Sequence, residues 1–274
     1  MKKNHLVSVV ITTKNEERNI KNCLESVKNQ TYKNIEIIVV DNNSTDKTKE
    51  IAKKYTSKVF DKGPERSAQR NYGVEKSSGE FCLLLDADQI LPPKMIYVLI
   101  SYIDKHPNTV GIQIPEKIIG KGFWIKVRDF EKQFYDDTVI DVARFLSRDA
   151  FLKAGSFDLS MTGPEDWDLD RKIKNLGNIG SIKLRFLHNE RLFNMKSYLS
   201  KKRYYSRSFE TYKNKWNNDN ICKKQFGLYY RLLGVFFENR KWKRLLAHPI
   251  LTIAMYYLKI RIGLIYLSRN IIKK

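Results

Sequence analysis

The sequence predicts an α/β fold, with a mostly parallel central sheet, helices on both faces and a basic helical C-terminal extension. Three observations predict it. Through roughly the first 115 residues, short β-rich runs alternate with helical patterns, the order expected of βαβ units. Leu83, Leu84 and Leu85 follow one another without a polar residue, as in a strand buried on both faces. Residues 191–274 carry 20 Lys and Arg against 3 Asp and Glu, so +17 of the net charge of +21 lies in the last third.

The elements follow in order. "LVSVVIT" (6–12) reads as a strand, and residues 16–30 as a helix with Ile20, Cys23, Leu24 and Val27 on one face. "NIEIIVVD" (34–41) is a second strand, and 44–55 a helix opened by the capping residues Ser44, Thr45 and Asp46. "SKVFD" is a short strand, "ERSAQRNYGVEKS" a helix, and "EFCLLLDAD" (80–88) the strand of the three leucines. "PPKMIYVLISYIDKH" follows as a helix with proline in its first turn. Further on, 139–155 reads as a strand entering a short helix. "TGPEDWDLDRKIKNLG" reads as a turn and a helix that Gly177 ends, and "GSIKLRFLHNE" as a strand that finishes in His188. From 194 onward helical patterns dominate.

A chain of 274 residues, 42% of them hydrophobic, has material for one large domain with a helical extension. Cys23, Cys82 and Cys222 are odd in number and scattered, which argues against a disulfide framework or a thiolate metal site and for a reducing, cytoplasmic setting. The N-terminal apolar run is short and mixed with Ser and Thr, so it reads as the first strand and not as a signal peptide. Pro249–Leu258 spans ten residues between His248 and Lys259, less than the ~20 needed to cross a bilayer, so no transmembrane helix is expected.

In open α/β sheets ligands collect at the carboxyl ends of the strands. Here those ends gather Thr12 and Thr13, Asp41, and Asp86 with Asp88, from three separate places in the sequence. Asp86 and Asp88 flank one small residue and can share a divalent cation; a capped turn before Pro92 and Pro93 would account for them equally well. In "PEDWDLDRKI" four acids fall within six residues, more than helix capping requires, and one of them is placed to act as a general base. His188 stands alone, as structural histidines commonly do.

"VSVVITTKNEERNIKNCLESVKNQTYKNIEIIVVDNNSTDKT", "SAQRNYGVEKSSGEFCLLLDAD" and "TGPEDWDLDRKI" occur in this order and together resemble a family 2 glycosyltransferase of the GT-A fold, of the single-transfer type, over roughly residues 6–190. The resemblance implies a catalytic domain over 1–190 and inverting transfer of a sugar from a nucleoside diphosphate donor, a UDP-sugar being favoured, without a glycosyl-enzyme intermediate. It implies that Thr12, Glu16, Asp41, Arg70 and Asp86 serve the nucleotide, with Asp41 accepting from the base. It implies that Asp88, and His188 with it, bind Mg or Mn, that Asp166 is the catalytic base, and that Glu165 beside it touches the acceptor. The Q-x-x-R-W motif of processive synthases is absent, which favours single transfer over polymerisation.

Residues 191–274 interleave Lys and Arg with Tyr, Phe and Trp, and Thr252, Lys259, Gly263 and Asn270 align on one helix face with Ile253, Ile260, Leu264, Leu267 and Ile271 elsewhere. This extension is expected to dock on an anionic membrane at its cytoplasmic face and present a glycan or polyprenyl-phosphate-linked acceptor. Packing on the catalytic domain or dimerisation would use the same helices. Two other functions fit less well. A nucleotidyltransferase generally needs a Gly-rich phosphate loop after the first strand, which "TTKNEE" is not. A nucleic-acid-binding protein would spread its charge over a body that is here nearly neutral, so no nucleic acid partner is expected.

Overall fold

Every residue of β1 (Val7–Thr13) is buried. In the computed structural model, which describes residues 4–272, β1 pairs in parallel with β2 (Ile35–Asp41) on one side and β4 (Phe81–Asp86) on the other. β3 (Val59–Asp61) extends the parallel set beyond β2. β6 (Thr109–Gln113), β8 (Ala143–Ser147) and β9 (Asn178–Ser181) complete a seven-stranded sheet in the order β3-β2-β1-β4-β8-β6-β9, with β8 antiparallel to both neighbours. Side chains alternate between the faces of a strand. Accordingly Val9, Ile11, Val39, Leu83 and Leu85 join one apolar cluster, and Val10, Ile38, Val40 and Leu84 join another. The three leucines are thus shared between two dry faces, as an all-apolar run requires.

The helices that cover those faces begin later than their sequence pattern suggests, for an identifiable reason. The N–H groups of Asn15, Glu16 and Glu17 donate to Ser44 Oγ, Thr48 Oγ1 and Asp46 Oδ2, so this stretch is tied to the loop after β2 and α1 starts only at Ile20 (Ile20–Lys28). α2 is correspondingly short (Thr48–Lys53). α3 (Arg66–Glu75) lies so close to the sheet that a Cβ on Gly73 would strike Val10 Cγ1. α4 (Met95–Lys105) starts after the two prolines and not on them. β5 (Gln89–Ile90) pairs antiparallel with β10 (Phe186–Leu192), which places His188 inside a strand instead of at its end. The remaining elements of this part are β7 (Glu116–Lys121), α5 (Phe123–Lys132), α6 (Arg148–Lys153) and α7 (Glu165–Lys174).

Two units divide the chain. The first takes the chain up to Glu116 with Val142–Leu159 and Glu165–Asn189; the second takes Lys117–Asp141, Ser160–Pro164 and the chain from Glu190 onward. Residues 117–141, which include α5, therefore fold with the basic extension.

Within the second unit, α8 (Met195–Tyr205), α9 (Phe209–Lys215), α10 (Asn220–Phe226), α11 (Val235–Phe237), α12 (Trp242–Ala247) and α13 (Pro249–Ile272) follow one another. Val127, Phe130 and Phe134 pack with Val235, Phe236, Met255 and Leu258 in a core of their own. α13 corrects the expectation of a ten-residue apolar segment, because its helix runs on through Lys259 and Arg261 and, over Pro249–Tyr266, is long and apolar enough to cross a membrane. It is apolar on more than one face, with Met255 and Leu258 buried in this core and a second apolar row left exposed. Lys259 points inward, donating to Tyr135 Oη at 2.7 Å and to the Arg231 carbonyl at 3.0 Å. Ile250, Ile253, Tyr257, Ile260 and Leu264, spaced three and four apart, form the exposed stripe. Leu267, Asn270 and Ile271, assigned above to faces of this helix, lie outside the residues whose side chains are described.

Candidate active site

Parallel register brings the first two site residues together. Thr12 is the partner of Asp86 across β1 and β4, and its Oγ1 donates to Asp86 Oδ1 at 2.9 Å. One strand further, Thr13 pairs with Asp41.

Arg66 and Arg70 stand one turn apart on α3 and face the end of β4. Arg66 Nη1 donates to Asp86 Oδ2 at 3.2 Å. Arg70, 1% exposed, bridges two carboxylates: Nη2 donates to Asp86 Oδ1 at 3.1 Å and Nη1 to Asp166 Oδ1 at 3.0 Å. Asp166 belongs to the first turn of α7, where the helix dipole also favours a negative charge. Arg144 of β8 approaches its other oxygen at 3.5 Å. Beside it Glu165, almost wholly buried, lies 3.7 Å from Arg66 Nη2.

Burial alone would raise all three carboxyl groups. For Asp86 the guanidiniums of Arg66, Arg70 and Arg144 outweigh burial and hold it well below the usual carboxylate range. Asp166 is lowered too, chiefly by Arg144 and then Arg70. Glu165 goes the other way: burial, with the Asp166 charge adding to it, pushes its carboxyl up. The site therefore holds two carboxylates kept ionised by arginine and one carboxyl biased toward its neutral form.

Asp88 lies just past β4, apart from the arginines. His188 Nε2 donates to Asp88 Oδ2 at 3.2 Å and Nδ1 to Glu116 Oε2 at 2.9 Å. Burial disfavours the imidazolium, but these two carboxylates together raise its pKa to about 10. Asp88 Oδ1 is buried and has no hydrogen-bond partner. Among the described residues no group of three His, Cys, Asp or Glu side chains is arranged to hold a metal ion. The unpaired Asp88 Oδ1 nonetheless fits a divalent cation, and His188 would join it only on losing the Nε2 proton it donates to Asp88, the other positions being left to oxygens of a ligand. Asp86 fits one poorly, since Thr12, Arg66 and Arg70 already occupy its oxygens.

The other expected residues are placed as follows. Asp41 is fully buried, with Oδ1 accepting from Ser44 N–H at 2.6 Å and Oδ2 from Ser44 Oγ–H at 2.5 Å, so in this conformation it shapes the loop after β2. Glu16 Oε2 accepts from Asn19 Nδ2 at 2.6 Å. Of the four acids after Pro164, Asp168 pairs with Lys172 at 3.1 Å and Asp170 accepts from Ala143 N–H, so the latter two hold α7 in place. Sequence reasoning missed Arg66, Arg144 and Glu116. Arg66 was accessible from its spacing of four to Arg70 on a predicted helix; Arg144 and Glu116 carry no local signal.

Comparison with known proteins identifies the family and the fold. Residues 8–157 match the family model described as glycosyl transferase family 2. The chain is 30% identical over 261 residues to an uncharacterized glycosyltransferase of Methanocaldococcus jannaschii, covering 85% of this chain and 86% of that protein. Among solved structures it resembles S. aureus TarS 1–349 in complex with UDP-GlcNAc (TM-score 0.59, 20% identity, 91% of this chain and 79% of that one). It spans 53% of the longer TarS chain. It also resembles the mannosyltransferase PcManGT of Pyrobaculum calidifontis in complex with GDP-Man and Mn2+ (TM-score 0.62, 16% identity, 95% and 86%).

Proposed function

The chain belongs to glycosyl transferase family 2, and from that premise we propose that it moves a sugar from a nucleoside diphosphate donor, a UDP-sugar by preference, to an acceptor hydroxyl with inversion. The observation that carries this reading is Arg70, which fixes Asp166 and the end of β4 at Asp86 in one hydrogen-bonded assembly. In the reaction Asp166 takes the proton of the acceptor hydroxyl. The hydroxyl oxygen forms its bond to the anomeric carbon while the bond from that carbon to the diphosphate oxygen breaks on the opposite face. Arg66 and Arg70 supply positive charge beside the departing diphosphate, and Glu165 contacts the acceptor. Asp88 and His188 would hold a divalent cation, Mg or Mn, whose chemistry is Lewis-acid stabilisation of the leaving diphosphate. TarS with UDP-GlcNAc and PcManGT with GDP-Man and Mn2+ support a nucleotide-sugar donor and a divalent ion.

The acceptor in this reading is a glycan or a polyprenyl-phosphate-linked glycan, presented by a protein that sits peripherally on an anionic membrane at its cytoplasmic face. The exposed apolar stripe of α13 supports this placement, as does the +17 charge of residues 191–274. Transfer from UDP- and GDP-sugars, measured with membrane lipid extracts as acceptor, tests the function. Asp166→Asn should keep donor binding and lose transfer by a factor of about 100 or more; equal transfer by the variant would remove Asp166 from the base role.

A further inference from the structure

α5 and α13 frame an apolar groove of about 490 Å3 in the second unit, lined by Phe123, Trp124, Ile250, Ile253, Ala254 and Tyr257. The groove does not end in apolar surface. Tyr257 lies 5.8 Å from Trp124, Trp124 5.9 Å from Phe193, and Phe193 5.2 Å from Tyr198, measured between ring centroids. Tyr198 in turn carries the Arg128 guanidinium 4.7 Å from its ring centroid and takes a hydrogen bond from Arg128 Nη1 at 3.3 Å. A continuous aromatic track thus leads from the groove to a cluster of cations.

That cluster has more positive than negative groups. Arg128 pairs with Glu190 at 2.9 Å and Glu131 at 3.5 Å, and Lys259 also reaches Glu131 at 3.5 Å. Lys202, 5.4 Å from the Tyr198 ring centroid, has no carboxylate within ion-pair distance among the described residues. Burial and the neighbouring Arg128 charge push its ammonium down to about 7. Arg128 Nε is buried with no hydrogen-bond partner. The Arg128 Nε–H and the Lys202 ammonium, both gathered at the Tyr198 ring, are answered by no carboxylate, and phosphate is an anion that accepts from donors of both kinds.

We propose that the groove and the cluster form one binding site for a lipid phosphate, the hydrocarbon chain lying along Ile253, Trp124 and Tyr257 and the phosphate oxygens accepting from Arg128 and Lys202. It deepens, and rests on, the lipid-linked acceptor reading. Charge complementarity selects this occupant over a neutral lipid or an apolar protein segment, which would leave the Lys202 ammonium and the Arg128 Nε–H unanswered. Recognition is bipartite, so neither half alone should bind well.

The test uses the full chain with farnesyl phosphate, farnesol and inorganic phosphate, followed by tryptophan fluorescence and calorimetry, with UDP binding in the presence of Mn2+ measured on every sample. Farnesyl phosphate should bind at least about tenfold more tightly than either other probe, since hydrogen bonds to a charged group are the strong ones. Lys202→Gln, which breaks no ion pair, should lose about tenfold for farnesyl phosphate and nothing for farnesol; Arg128→Gln should do the same or more. Ile253→Asp should weaken both farnesyl probes. Equal affinity for farnesol and its phosphate, or unchanged affinity in Lys202→Gln and Arg128→Gln, overturns the site. Absence of farnesyl phosphate binding in a protein that binds UDP overturns it while leaving glycosyl transfer standing. Loss of UDP binding alone counts instead against the proposed transfer.

Discussion

Arg70→Met removes a side chain that touches both Asp86 and Asp166. Removing one partner of a buried ion pair costs about 3–5 kcal/mol, because it strands a charge in a poorly solvated place. The low end applies here, since Asp86 keeps Arg66 at 3.2 Å and Asp166 keeps Arg144 at 3.5 Å. At about 2–4 °C per kcal/mol for a unit of this size, the variant should melt roughly 6–12 °C below wild type. Thermal unfolding without ligand measures this. The double variant Arg70→Met/Asp166→Asn should recover part of the loss, with a coupling of at least about 1 kcal/mol. A melting point within about 2 °C of wild type, or strictly additive effects, would refute the claim that Arg70 joins the two carboxylates.

Other outcomes follow from the same geometry. Asp166 has a folded-state pKa below its unfolded value, so its stabilisation is fully present above about pH 4 and lost as pH falls through the folded value. The melting gap between wild type and Asp166→Asn should therefore be constant from pH 7 to pH 5 and close on further acidification; a gap that widens there would contradict the assignment. Phe134→Ala empties the aromatic centre of the second unit, where Phe134 and Phe236 lie 4.7 Å apart, and should cost about 3–5 kcal/mol in denaturant unfolding. Gly163 has φ +111° and its Cβ position lies 2.8 Å from Tyr205 Cβ, so Gly163→Val should lower stability, while the exposed Leu159→Ala should leave it within about 0.5 kcal/mol. Ile253→Asp/Ile260→Asp places two charges in the exposed stripe of α13 and should reduce co-sedimentation with phosphatidylglycerol-containing vesicles by a factor of about 10 or more; undiminished sedimentation would show that α13 does not meet the lipid.

Much of the first unit was legible because its signals are local. Short apolar, β-rich runs located β1, β2 and β4, an apolar face at helical spacing located α1, and parallel register then brought Thr12 to Asp86. What escaped was set by contacts distant in sequence. The N–H groups of residues 15–17 answer to the loop after β2, so α1 starts late. Arg144 and Glu116 carry no local signal as site residues, yet one pairs with Asp166 and the other with His188. Lys259 looked like an outward-facing polar residue of α13. Tyr135, the Arg231 carbonyl and the buried Glu131 on α5, 128 positions earlier in the chain, together explain why it points inward and leaves the apolar stripe exposed.

Calorimetric titration of UDP and GDP, with and without Mn2+, into wild type and Asp88→Ala tests the central claim most directly. The account predicts UDP binding that depends on Mn2+ and disappears in Asp88→Ala, because the unpaired Asp88 Oδ1 is the oxygen that would take the cation. Metal-independent binding equal in both proteins, or no binding of either nucleotide, would contradict it.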